Sequence, residues 1–123
     1  MNFLEKALIR KLLDPKNTVS GDGCLSIQLG ALKTLPPDFV PLLPLAEKCL
    51  GALPGILSVT ADAAGGKVTI RYEGGRLNER EVIAWYRLVL GETLDEADRK
   101  HPKDMTEADA QAIARRALTK MGR

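Results

Sequence analysis

Residues 50–83 read LGALPGILSVTADAAGGKVTIRYEGGRLNEREVI, and this stretch decides the fold. Pro54-Gly55 ends a helix. Ile56 to Asp62 then alternates, with Leu57, Val59 and Ala61 on one side and Ser58, Thr60 and Asp62 on the other. Ala64-Gly65-Gly66 is a tight connection. Lys67 to Tyr72 alternates again, with Val68, Ile70 and Tyr72 inward and Lys67, Thr69 and Arg71 outward. Two alternating runs this close together predict an antiparallel hairpin. Gly74-Gly75 breaks the second strand, and Asn78 caps the next helix, whose first turn holds Glu79 and Glu81.

Working outward, Val82, Tyr86, Val89 and Leu90 recur at helical spacing, with Ile83 and Trp85 broadening the stripe. The helix ends at Gly91 or runs on through Thr93-Leu94-Asp95-Glu96-Ala97. Upstream, a helix starting near Pro41 presents Leu42, Ala46, Cys49, Leu50 and Leu53 on one face, with Glu47 and Lys48 outward. Pro41 and Pro44 fit its first turn, where backbone N–H groups have no helical partner. Before it, Cys24 to Leu29 reads as a strand, with Leu25, Ile27 and Leu29 on one face and Ser26 and Gln28 on the other. Asp22-Gly23 in front of that strand is a hairpin turn signal.

Two further helices flank this unit. Residues 2–14 form an amphipathic helix, capped by Asn2 and stopped by Asp14-Pro15. Leu4, Leu8 and Leu12 stack at four-residue intervals, with Phe3, Ile9 and Leu13 beside them and Lys6, Arg10 and Lys11 towards the other side. So short a helix needs something to lie on: the rest of the domain, a second copy, a partner's groove or a membrane surface. After the polar run Asp98 to Asp104, Thr106 opens a last helix with a capping-box pattern, Thr-Glu-Ala-Asp. Its face carries Ala110, Ile113, Ala114, Ala117, Leu118 and Met121. The expected organisation is an N-terminal helix over residues 1–16, a central domain over 17–97, and a linker with C-terminal helix over 98–123.

Composition narrows the function classes. The chain has 123 residues, 45% hydrophobic, 28% charged and only 4% aromatic, so one aliphatic core is expected. A net charge of +2 does not point to nucleic acid, and no basic run interleaved with aromatics offers stacking platforms. No apolar run reaches membrane-spanning length, and the N-terminus lacks signal-peptide order. A cytoplasmic protein is expected, with membrane contact only through the N-terminal helix. Cys24 and Cys49 are too far apart in sequence for a C-x-x-C site and are expected as reduced thiols, with a disulfide left open. The single histidine, His101, sits in a charged linker, and Asp95, Glu96 and Asp98 read as a solvated run. Trp85-Tyr86 reads as core or interface packing, with a ligand pocket as the second reading. No catalytic constellation assembles from these residues, so no enzyme and no cofactor are expected.

The order strand, helix, strand, strand, helix is most of a ferredoxin-like βαββα(β) unit, an α+β antiparallel sheet with helices on one face. At this point the chain resembles the heavy-metal-associated domains of copper chaperones and metal-pumping ATPases. The matching residues are Leu53-Pro54-Gly55-Ile56, Ser58-Val59, Asp62, Gly66-Lys67-Val68-Thr69-Ile70 with Tyr72, and Leu77 with Glu81 and Ile83. The likeness covers roughly residues 24–90. It implies the scaffold but not the chemistry, because the family's M-x-C-x-x-C loop corresponds to Gly30-Ala31-Leu32-Lys33-Thr34-Leu35-Pro36-Pro37-Asp38, which has no Cys, Met or His. The family's last strand also has no counterpart after Leu90. The strand Cys24–Leu29 would then be an exposed edge, covered by residues 18–20 folding back, by a second copy, or by a partner.

These readings lead to a non-catalytic interaction or adaptor module, as a homodimer or docked on a protein partner. Leu4, Leu8, Leu12, Ser26, Gln28, Ile113, Ala117 and Leu118 are its candidate partner-binding residues. Two alternatives stay open: a metal carrier using Cys24 and Cys49 or ligands from two subunits, and a small-ligand binder using the sheet and the Trp85 region.

Overall fold

Four strands form one antiparallel sheet in the order β1-β2-β4-β3. They are β1 (Asn17–Gly21), β2 (Cys24–Gln28), β3 (Ile56–Asp62) and β4 (Lys67–Tyr72). The helices are α1 (Phe3–Leu12), α2 (Leu42–Leu50), α3 (Glu79–Ala97) and α4 (Glu107–Lys120), which makes the fold α+β. A computed structural model describes residues 2–123.

Strand β2 is not an edge. Residues 17–21 fold back through Asp22-Gly23 and pair with it, Gly21 opposite Cys24 and Asn17 opposite Gln28. Of the three covers considered for that strand, the chain supplies its own. Only Gly23 in this turn takes a positive φ, +66°. A Cβ there would stand 2.6 Å from the Tyr72 carbonyl oxygen. The approach is this close because the Gly23 carbonyl accepts from the Tyr72 N–H at 2.9 Å, which locks the turn onto β4.

Both β3 and β4 occupy the spans their alternation predicts, but one side-chain assignment is corrected. The register slips between Ile56, opposite Tyr72, and Ser58, opposite Arg71. This bulge at Leu57 inverts the alternation at the strand's start. Ile56 is half-buried against the core and Leu57 is 63% exposed, the reverse of the regular pattern. Along the rest of the sheet one face is apolar and buried, through Leu25, Ile27, Val68 and Ile70. The other presents Gln28, Lys67, Thr69 and Arg71, all exposed or half-buried.

Capping and burial set the helices. Asn78 and Thr106 each complete a capping box, with Glu81 and Asp109 as the reciprocal partners. Gly91 does not end α3, which runs through it for 19 residues. Val89, Glu92 and Leu94 are buried on either side of it, so tertiary packing outweighs glycine's low helix propensity. Trp85, at 0% exposure, donates its indole N–H to the Leu50 carbonyl at 2.8 Å. Helix α4 packs on α2 and α3, and its Ala110, Ile113 and Ala117 join the same core as the sheet. The C-terminal helix thus shares the core of residues 17–97.

Glu92 is the one buried charged residue among the described residues, at 4% exposure. It contacts Lys120 and, at 3.0 Å, Arg116, which also reaches Glu96 at 3.0 Å. The hydrogen bond from Lys120, reinforced by Arg116 against the opposing effect of burial, holds the Glu92 carboxyl below its ordinary range. Asp95 and Asp98 keep the exposure expected of a solvated run while pairing with Lys6, whereas Glu96 is mostly covered, its side chain 13% exposed and paired with Arg99 and Arg116.

Two outcomes follow from this packing. Gly23→Ala should destabilise the protein by about 2 kcal/mol, because both the positive φ and the Tyr72 carbonyl oppose a Cβ. A urea midpoint equal to wild type would show that the turn relaxes freely. A carboxyl whose folded pKa is depressed adds stability above its unfolded pKa, and that stability is lost as pH falls through the folded value. Glu92→Gln should therefore lower stability at pH 7 by roughly 1–2 kcal/mol and by progressively less below about pH 4. A wild-type-minus-variant difference that does not shrink in acid would refute the ion-pair assignment.

Candidate functional site

The loop that would carry metal ligands in the resembled family folds into two short 3-10 turns, Gly30–Thr34 and Pro37–Phe39. Leu32 is 5% exposed, and the Leu29 N–H donates to the Gly66 carbonyl at 2.7 Å. This loop is therefore bound to the core by its leucines. The two cysteines do not share a site. Cys24 is half-buried, and its register opposite Arg71 puts it on the open face of the sheet. Cys49 is buried beneath the other face, where its thiol donates to the Ala110 carbonyl at 3.2 Å. Burial pushes the Cys49 thiol up to about 11, which keeps it protonated at neutral pH. The two thiols therefore lie on opposite faces of the sheet. No group of three or more His, Cys, Asp or Glu side chains converges among the described residues. His101 is exposed and used locally, its Nδ1 accepting from the Lys103 N–H at 3.2 Å.

The residues assigned to partner binding fall into three different settings. Leu4, Leu8 and Leu12 are 77%, 58% and 51% exposed, and Phe3 beside them is 82% exposed. Helix α1 lies on α3 by its other side. Lys6, read from the sequence as facing away from the apolar stripe, contacts Asp95 at 3.0 Å and Asp98 at 2.6 Å. Ile9 and Leu13 are half-buried, and the Leu13 carbonyl accepts from the Tyr86 hydroxyl at 2.7 Å. Ser26 and Gln28 lie on an interior strand, with Ser26 Oγ 3.4 Å from Thr69 Oγ1. Ile113 and Ala117 are 3% and 0% exposed and Leu118 is half-buried, so that face is already occupied by this chain's own core.

Sheet edges differ in the same way. At the outer edge of β3, Glu47 Oε2 from α2 accepts the Ala61 N–H at 2.8 Å. Glu47 was read as outward-facing and is half-buried. On the opposite edge, Val19 is 65% exposed. Hydrogen bonds from β2 to β4 use Gly23 and Leu29. By strand alternation, Cys24, Ser26 and Gln28 bond to β1, and Thr18 and Ser20 direct their backbone groups outward.

A cavity of about 160 Å³ lies between α1, the 29–42 segment, α2 and α3. Its walls are almost wholly apolar, including Leu32, Leu43, Leu50, Val89 and Leu94. The polar lining groups are already engaged: Tyr86 with Leu13, Glu47 with Ala61, and Thr93 Oγ1 donating to the Val89 carbonyl at 2.7 Å. Burial, and secondarily the Asp14 charge, raise the Tyr86 hydroxyl pKa, so the tyrosine stays neutral. Trp85 does not line the cavity. The sequence signal for it was the run of leucines from Leu29 to Leu43, too many for a simple exposed loop.

No protein-family model, no curated protein and no solved structure matches this chain. Placement of the thiols predicts that Cys24 alone reacts with Ellman's reagent in the folded protein. Cys49 should react only on unfolding, and Cys24→Ser should remove the native-state reaction. Two equally fast thiols in native protein would contradict the buried position of Cys49.

Proposed function

We propose that this chain is a non-catalytic interaction module on a heavy-metal-associated-like scaffold, assembling with a second copy of itself through α1. The observation that carries this reading is the outer face of α1. Phe3, Leu4, Leu8 and Leu12 stay exposed although the helix is firmly held on its opposite side. They offer on the order of 500 Å² of apolar surface per copy, or about 1,000 Å² in a symmetric pair, the lower bound for a specific interface. A two-fold antiparallel pairing is self-complementary: Leu8 would meet Leu8, and Leu4 of one copy would meet Leu12 of the other.

Strand order β1-β2-β4-β3, with α2 between β2 and β3 and α3 after β4, supports a ferredoxin-like arrangement in which β1 stands where the family's last strand would be. Loss of thiols from the 30–38 loop and the use of Leu32 in the core support a scaffold without the family's metal chemistry. Among the described residues, no helix is long and apolar enough to cross a membrane. On this reading the module works in the cytoplasm, without a cofactor and without nucleic acid.

Sedimentation equilibrium tests it. Wild type should approach twice the 13.4 kDa chain mass at tens of micromolar, and Leu4→Ser/Leu8→Lys should return it to one. These positions are exposed, so the variant should keep wild-type thermal stability. A monomeric wild type, or a dimer that survives the double substitution, would sink the proposal. Survival together with loss in Ser20→Pro would relocate the contact to the β1 edge. A monomer that co-sediments with anionic vesicles would make α1 a membrane-docking helix instead.

A further inference from the structure

The cavity behind α1 is a different feature from the surface in front of it. We infer that it is a binding site for a small uncharged hydrocarbon, about the size of one benzene ring. Its volume, about 160 Å³, is close to that of apolar protein cavities that stay dry and take up benzene. Its chemistry agrees with its size. A bound water needs two to four polar partners, and the cavity has few: three polar side chains, each already bonded once to the backbone. Tyr86 donates to Leu13 at 2.7 Å, Thr93 donates to Val89 at 2.7 Å, and Glu47 accepts from Ala61 at 2.8 Å. Both hydroxyl protons of the lining are used on backbone carbonyls, and the lining surface is almost wholly apolar, so a polar ligand would gain little here. Glu47 is also the sole charged residue in the lining, so an anionic ligand is disfavoured.

Access follows from the half-buried walls. Ile9, Leu35, Phe39 and Leu42 line the cavity and are each partly exposed, which places the mouth between α1 and the 35–42 segment. Helix α1 forms this wall while burying none of its own residues. It is tied to α3 by Lys6 on Asp95 and Asp98, and the segment after it by the Tyr86 hydroxyl on the Leu13 carbonyl and by Arg87 on Asp14 at 3.4 Å. The partly exposed residues at this mouth give a small ligand a route to the cavity while α1 stays in place.

Toluene and benzoate are the probes, since they share a ring and differ in charge. Titration of toluene into full-length protein, followed by methyl NMR, should give saturable shifts at Leu32, Leu43 and Val89 and a rise in Tm. Benzoate at matched concentration should give neither. Ala46→Leu adds three carbons from α2 into the same space. It should weaken toluene binding by at least about tenfold while leaving the unliganded Tm equal or higher. If Ala46→Leu does not fold, Thr93→Leu fills the cavity from α3 and is read the same way. Absence of saturation, shifts confined to Leu4 and Leu8, equal binding of benzoate, or undiminished binding in the filled variant would each overturn the inference. None of these readouts depends on whether the chain dimerises.

Discussion

Trp85 is the residue on which the arrangement of layers depends. It is the largest side chain that is fully buried, and burying it removes a large apolar area from water. An indole N–H in such a place must find an acceptor, and the Leu50 carbonyl at the end of α2 supplies it at 2.8 Å. That one bond ties the end of α2 to the middle of α3. Both helices are then committed to the same face of the sheet, and α4 fills the angle between them with alanines and Ile113. Small side chains on α4 matter here because they let its backbone approach closely enough for Cys49 to reach the Ala110 carbonyl.

Helix α1 is held by a different kind of force. It buries no residue, and its attachment combines the Lys6 ion pairs with the half-buried Ile9 and Leu13. Exposed ion pairs are worth little individually, but Lys6 bridges two carboxylates one turn apart on and beyond the end of α3. The consequence is an inversion of the usual amphipathic arrangement. The stronger apolar stripe faces outward and the mixed side faces the fold. This inversion creates both surfaces of functional interest: the leucines in front, and the apolar cavity that α1 closes from behind.

The two sheet edges show how local chemistry sorts surfaces that look equivalent in topology. Glu47 caps the β3 edge by accepting a backbone N–H that would otherwise be free. The β1 edge has no such cover, and only its shortness, five residues, limits strand addition. Apolar contact through α1 and backbone pairing through β1 are physically distinct modes of association, and they respond to different substitutions.

Much of the fold was legible in the chain. The spans of β3 and β4, the caps at Asn2, Asn78 and Thr106, and the burial of Cys49 follow from local rules: two-residue alternation, glycine turns, and side chains that accept from free helix N–H groups. These depend on neighbours within four residues, which the sequence displays directly. The fold-back of β1 was one of three covers open for β2, and the Asp22-Gly23 turn made it available. Three features were not legible. The bulge at Leu57 leaves the alternation of residue types intact while reversing which ones point inward. The orientation of α1 follows from Lys6 meeting Asp95 and Asp98 and from Leu13 meeting Tyr86, partners 89, 92 and 73 residues away. The cavity exists only where α1, residues 29–50, the β3–β4 hairpin, α3 and the 102–105 turn converge. Sequence determines which elements form, because that is decided by local backbone and side-chain chemistry. Only the tertiary structure decides which faces are left over, because that depends on which groups distant in sequence are brought into contact.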